Sequence, residues 1–518
     1  MCITPSTGNI NNASFNIKSN NPPYEPSNPI PPDGATNVSI YTSLCWTGGD
    51  PDGDLVIYDV YFGKNYPPNL IINNQSLNCT YSYAELEFNT KYFWKIVAWD
   101  PDGSTEGPIW SFTTIESPHN TLYVGGTGEG NYTTIQDAIK NASDGDTVFV
   151  YDDSSPYYEN VIINKSINLI GEDRNTTIID GSFIDYSIKI KSSYVSINNF
   201  TLQKGKYNTI SAHHDYLLEG IHISQCNILN SDAGIFFQNI SKSTIEYCYC
   251  YKFNGPGITM YNPSNEIWIG QCEIDSCKYG ILVKDSNISI VNCRISNNTY
   301  DGILVHQKSK NIRIFRNKIR SNNYTGITVI ESGYSGESSN ITIEKNLIED
   351  NGQGANYNTG IYLQDCLHSV VIKYNNISNN NLNGIYLMRS NEILIIQNII
   401  HNKYAGIFLW NSNSNTIMGN TISNHSRYGG IGLFLECDSS SNTILKNNFI
   451  GNGQDAFFIT RLKNILFKRN RWEYNYWNRP QILPKLIFGK IGIGPIESPW
   501  INIDWFPAKE PYDIEVVI

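Results

Sequence analysis

One phrase recurs down the second half of this chain and restricts its fold more than any other feature. Gly280-Ile-Leu-Val, Gly302-Ile-Leu-Val, Gly326-Ile-Thr-Val, Gly360-Ile-Tyr-Leu, Gly384-Ile-Tyr-Leu and Gly406-Ile-Phe-Leu share it. Gly234-Ile-Phe-Phe and Gly257-Ile-Thr-Met precede them, and Gly430-Ile-Gly-Leu-Phe follows. The glycines recur every 22 to 24 residues, with one interval of 34 between Gly326 and Gly360. A fixed period of this length stacks one unit on the next, and the long interval marks an insertion in one unit. Each unit carries two further strand-like phrases, Ser-Asn-x-Ile-x-Ile (from Ser286, Ser339 and Ser390) and Asn-x-Ile (Asn317, Asn375, Asn398, Asn420, Asn448). Three short strands per unit predict an all-β, triangular solenoid whose parallel neighbours lie about 4.8 Å apart.

Composition narrows the function. A net charge of -11 without a basic stripe excludes a nucleic-acid role. No apolar run is long enough to span a membrane, and residues 1–8 resemble the tail of a signal peptide. Asn-x-Ser/Thr sequons at Asn37, Asn131, Asn287, Asn340 and Asn376 fit an extracellular or cell-surface location. The eleven cysteines follow neither a zinc spacing nor a dense disulfide framework. Cys226, Cys248, Cys272 and Cys293 take the Asn position of the third phrase, which predicts a buried column at one interior corner.

In chain order, residues 1–21 read as a flexible leader and 22–116 as one β-sandwich of short alternating strands. Trp46, Tyr92, Trp94 and the closing Trp110-Ser-Phe-Thr-Thr resemble a fibronectin type III module of secreted microbial proteins. Its loops at Asp50, Asp52 and Asp54 and at Asp100 and Asp102 would share a pole in that topology. There their carboxylates can hold Ca²⁺, or each can bond its own turn. Residues 133–142 predict a short amphipathic helix with a capping box at Thr133 and Gln136, followed by strands at 144–150, 167–171 and 177–181. That order resembles the N-terminal cap of the pectin-lyase-like right-handed parallel β-helix, and the repeats resemble the NosD-like or CASH type. The resemblance implies a β-helix over residues 122–470, with coils unbroken from about Ile188, and 471–518 as a C-terminal cap whose tryptophans pack.

Within each Gly-Ile-x-Leu strand, alternation sends the second and fourth residues after Gly outward. Tyr362, Tyr386 and Phe408 fall in the second column, and Lys284, His306, Gln364 and Trp410 in the fourth. The fifth column carries Asp285, Glu331, Asp365 and Arg389. The insertion divides into loops 331–339 and 350–359, which adjoin the coil of Gly360, and long loops on a rigid solenoid mark its binding face. Aromatic rings bind sugar faces, and the neighbouring polar groups bond hydroxyls. An extracellular polysaccharide or cell-envelope partner, bound by a monomer without a required cofactor, is the first reading.

A lyase or hydrolase acting at Glu331, Asp365 and Arg389 is the second reading, with Ca²⁺ as its possible aid. The resemblance includes lyases, hydrolases and epimerases, but the polygalacturonase signature and the epimerase Asp-Pro-His-Asp are missing from the coils. A copper-maturation role like that of NosD is not supported by four methionines and no His/Met cluster. A surface-layer element without ligand is the third reading.

Overall fold

The computed structural model describes residues 21–52, 56–75, 78–79, 86–100, 103–115, 120–306, 308–331, 340–354, 358–367, 369–425, 429–461, 469–481, 483–493, 496–514 and 516. Residues 1–20 of the leader, Asp54 and Asp102 lie outside them. The chain divides into two units, Met1–Pro118 and His119–Ile518.

The first unit contains two small sheets. Ser27–Ile30 pairs with Cys45–Thr47, while Ala35–Val38, Trp110–Thr114, Lys91–Trp99, Ile57–Gly63 and Asn69–Gln75 lie in that order, with Ser104–Glu106 added on Lys91–Trp99. Their buried positions form one core in which Trp46 meets the edge of Tyr58 at 5.3 Å and Trp94 meets Trp110 at 4.6 Å. Cys45 and Cys79 form a disulfide across 34 residues of sequence.

The second unit is the right-handed β-helix that the period predicts. Its first face pairs the repeated phrase in register, so that Ile281, Ile303, Ile327, Ile361, Ile385 and Ile407 form one fully buried inward column. The third face is a sheet of thirteen parallel strands. The repeated glycine is required by space: a Cβ on Gly360 would lie 2.6 Å from Ile377 Cγ2 and 2.7 Å from the Gly384 carbonyl oxygen. Pairing begins before the expected coils, because Thr121–Val124 already lies parallel to Thr147–Val150.

The helix spans Ile135–Asn141 and buries Ile135, Ala138 and Ile139 over the open end of the first coil. Its N-cap is Thr134, one residue later than the expected Thr133, and the Thr134 hydroxyl accepts from the Asp137 amide. Gln136 is drawn away from capping, since its side chain exchanges two hydrogen bonds with the Ile162 backbone. Glu159 takes over, accepting from the Ile135 and Gln136 amides.

The cysteine column ends where Cys293 N–H donates to the Asn317 side chain, and an amide ladder continues through Asn346, Asn375, Asn398, Asn420, Asn447 and Asn475. The ladder residue in that last part is Asn447, not the expected Asn448, because Thr421 pairs with Asn448 and leaves Asn447 opposite Asn420. A second ladder unforeseen from sequence runs through Asn298, Asn322, Asn351, Asn380 and Asn402 to His425.

The expected boundary at 471 falls inside the last coil. Arg471–Glu473 pairs with Thr443–Leu445, and Tyr476–Trp477 pairs with Asn448–Ile450. Trp472 and Trp477 are therefore core residues, whereas Trp500 and Trp505 are exposed, against the expectation that all the terminal tryptophans pack. An antiparallel hairpin, Lys485–Ile493 and Ile496–Asp504, closes the end.

Candidate functional site on the first face

The outward second column forms a ring ladder. Tyr362, Tyr386 and Phe408 are in register on successive coils, and Phe434 and Phe457 extend the series. Ring centroids are separated by 5.2, 4.8, 4.9 and 5.7 Å, with the Tyr386–Phe408 and Phe408–Phe434 pairs within 10° of parallel. Phe434 is displaced in the sequence because Gly432, not Gly430, occupies the crowded glycine position: its Cβ would lie 2.4 Å from the Asp455 carbonyl oxygen.

The ladder corrects the expected exposed aromatic surface. Tyr362 is only 6% exposed, and Tyr386 and Phe408 are half-buried. In a near-parallel stack each ring face is covered by the next ring, so only edges meet solvent. The Tyr362 hydroxyl donates to Gln364 Oε1 at 2.8 Å and also reaches Met388 Sδ at 3.0 Å, which further closes that end.

The fourth column runs beside it as Gln364, Met388, Trp410 and Glu436 in register. Trp410 is half-buried, and no described ring stacks on it. At the next corner Arg389 grips Asp365 with two hydrogen bonds, Nε to Oδ1 at 2.5 Å and Nη2 to Oδ2 at 2.8 Å. Gln364 adds a third at 3.1 Å. The Arg389 guanidinium, helped by Gln364 and opposed by burial, holds the Asp365 carboxyl below the usual carboxylate range. Asp365 and Arg389 both have left-handed backbones, with φ of 56° and 49°. Glu331 lies one rung away, its amide donating to the Gln364 carbonyl. Three candidate catalytic groups are thus brought to one corner, but two of them form an ion pair.

Lys284 and His306 lie in the same column on successive coils, and Ile330 separates them from Gln364. Lys284 Nζ is 3.4 Å from the Tyr261 hydroxyl and 4.9 Å from its ring centroid. Burial lowers the His306 pKa, with Lys284 acting in the same direction and Asp285 against both. Asp285 turns the corner at φ 50°. Most of loop 331–339 and residues 355–357 lie outside the described residues. Gly352 and Gly354 donate to the Asn322 and Asn323 carbonyls, which fixes the described part of the second loop on the coil before.

In the first unit, Asp50 accepts from the Asp52 amide at 2.7 Å, and Asp100 accepts from the Gly103 amide at 2.7 Å. Asp52 accepts from both nitrogens of Asn21. Each of these aspartates thus bonds backbone within or beside its turn, and among the described residues no three His, Cys, Asp or Glu side chains form a metal-holding group. The second unit's cysteine column is buried as expected, and burial pushes the Cys226 and Cys272 thiols up.

The family model described as a right handed beta helix region matches residues 208–360 and 335–479. No curated protein sequence matches the chain. Among solved structures, an alginate lyase from Paenibacillus sp. str. FPU-7 is 12% identical, with 57% of this chain and 99% of that one covered and a TM-score of 0.41. PfbA, a surface adhesin of Streptococcus pneumoniae, is 13% identical over 76% of this chain and 100% of that one, at a TM-score of 0.39. The tailspike protein 3 of Bacteriophage CBA120 is 13% identical over 71% and 66%, at 0.43.

Proposed function

The chain belongs to the right-handed β-helix family, and from that premise we propose that it binds an extended polysaccharide along its first face, outside the cell or at its surface. The observation that carries this reading is Trp410. It is an indole on which no described ring stacks, placed between Met388 and Glu436 in the fourth column and one rung from Arg389, whose amide donates to the Trp410 carbonyl. A sugar ring can stack on that indole, while Gln364, Glu436 and the outer edge of Arg389 bond its hydroxyls. The ladder rings serve as an apolar floor through their edges. Each coil advances about 4.8 Å, close to the length of one sugar residue, so a chain lying along the axis would set about one residue over each rung.

Binding is favoured over hydrolysis or elimination because Arg389 keeps Asp365 ionised and occupied. Both Asp365 oxygens are engaged by Arg389, so the carboxylate has no proton to give as a general acid and no unengaged oxygen to act as a general base or nucleophile. The first unit's two sheets and its Trp46–Tyr58 contact support a fibronectin type III-like spacer, and the Cys45–Cys79 disulfide supports an oxidising compartment. No described helix is long and apolar enough to cross a membrane. The repeats themselves are read as the NosD-like or CASH kind. The Ca²⁺ role of the aspartate loops, including Asp54 and Asp102, is kept as part of this proposal.

The test is a glycan array followed by titration of any hit against wild type and Trp410→Ala. Loss of the stacking surface is expected to weaken binding about tenfold, equivalent to ~1.4 kcal/mol, with neither new reducing ends nor unsaturated product. Unchanged affinity in Trp410→Ala, or silence across acidic and neutral glycans, rejects the assignment.

A further inference from the structure

The terminal hairpin is amphipathic. Its inner row, Ile487 and Ile491, is nearly fully buried on the last coil, where Gly489 leaves room for the Phe458 ring 2.5 Å from a built Cβ. The outer row is Leu486 and Phe488 on one strand, opposite Ile503 and Ile501 on the other. Leu486 is 44% exposed, Phe488 58% and Ile501 43%. Leu483, Trp505 and Phe506, exposed at 75%, 61% and 59%, flank the register pair Lys485–Asp504 and lengthen the patch at that end.

At about 200 Å² for a fully exposed large side chain, these six residues show on the order of 700 Å² of apolar surface. That exceeds the patches tolerated on ordinary monomers and approaches the ~800 Å² each partner contributes to a standard interface. Pro499 stands in the middle of the outer strand while its pairing with Lys490 remains in register, so its missing N–H belongs to the free edge. Edge-to-edge addition of another strand is therefore blocked, and a partner must pack on the face.

We propose that a second copy of this chain packs face to face on this hairpin, joining two solenoids cap to cap about a two-fold axis. A two-fold axis through the patch lays each copy's outer row on its own image, so one apolar surface supplies both halves of the interface. The proposal is independent of the glycan reading and replaces the expectation of a monomer.

Light scattering behind size exclusion, on the full chain across micromolar concentrations, is expected to give twice the 58.5 kDa of one chain. Phe488→Glu and Trp505→Glu should each return it to one chain without lowering the solenoid's thermal transition. Hydrogen exchange on the unaltered protein supplies the check if a variant misfolds: protection of 485–493 and 496–506 should rise with concentration, while that of the central coils stays constant. A single-chain mass at every concentration overturns the proposal. So does a dimer that survives both substitutions, or a monomer that sediments with phosphatidylglycerol vesicles, which would assign the patch to a lipid surface.

Discussion

Asn317 marks the residue at which sulfur gives way to amide along one interior corner. Cys272 Sγ makes long contacts, 3.3 Å to the Gly270 carbonyl and 3.5 Å to that of Ile245, beside weak thiol–thiol bonds to Cys248 and Cys293. Asn375 does far more: its Oδ1 accepts from the Asn346 amide and side chain, and its Nδ2 donates to the Ile343 carbonyl and Asn398 Oδ1, all at 2.9 Å. Removing such a side chain strands several fully buried donors and acceptors, each at about 1–3 kcal/mol. Asn375→Ala is therefore expected to cost roughly 3 kcal/mol or more, and Cys272→Ala, which loses mainly packing, about 1–2 kcal/mol. Urea unfolding of the solenoid, followed by far-ultraviolet circular dichroism, compares the two. Equal midpoints would show that the amide ladder adds nothing beyond filled space.

The ring ladder is the element through which the first face coheres, and its middle member should matter most. Phe408 has a ring on each side, at 4.8 and 4.9 Å, whereas Phe457 has one at 5.7 Å. Phe408→Ala is expected to cost about 3 kcal/mol and Phe457→Ala clearly less. Amide exchange in Asn383–Met388 and Ile431–Glu436 should accelerate together in the former, and acceleration confined to the mutated strand would contradict a continuous stack. How much of this element the sequence discloses is instructive. Period and alternation disclose the columns, because a two-residue repeat in a strand fixes which side chains point outward. They do not disclose that Tyr362 and Tyr386 spend their faces on neighbours, since that depends on side-chain torsions set by contact. Nor do they choose among Gly429, Gly430 and Gly432; only the clash of a Cβ with the Asp455 carbonyl selects the last. Asp365 and Arg389 are legible as neighbours on adjacent rungs. Their bidentate pairing, which turns candidate chemistry into a fixed ion pair, requires the left-handed corners that aim both side chains across one coil.

Across the whole molecule, buried ionisable groups decide how stability follows pH. Burial pushes the Glu246 carboxyl up to about 8 and the Asp301 carboxyl to about 6, and it pulls His222 and His425 down to about 4. His222 Nε2 lies 3.6 Å from Glu246 Oε1 with Glu246 only 3% exposed, so the low-dielectric site favours both groups neutral. The two histidines have depressed pKa values; their contribution is present above the unfolded value near 6.5 and is lost as pH falls toward 4. The two carboxyls have raised values; their contribution is present below the unfolded values near 4 and is lost as pH rises, through about 6 for Asp301 and about 8 for Glu246. Between about 4.5 and 6 the opposing slopes nearly cancel. Above about pH 7 the unfolded histidines are neutral as well, so Glu246 alone among the four is still titrating and stability should decline with pH, by at most about 1.4 kcal/mol per unit and by less as pH nears 8. Glu246→Gln keeps the shape without the ionisation and should flatten that window while leaving the acid limb, which belongs to the histidines, in place. Urea midpoints at pH 7 and 8 for both proteins decide the matter. An equal decline in wild type and variant would mean that Glu246 is already ionised beside a protonated His222, and that this corner holds an ion pair.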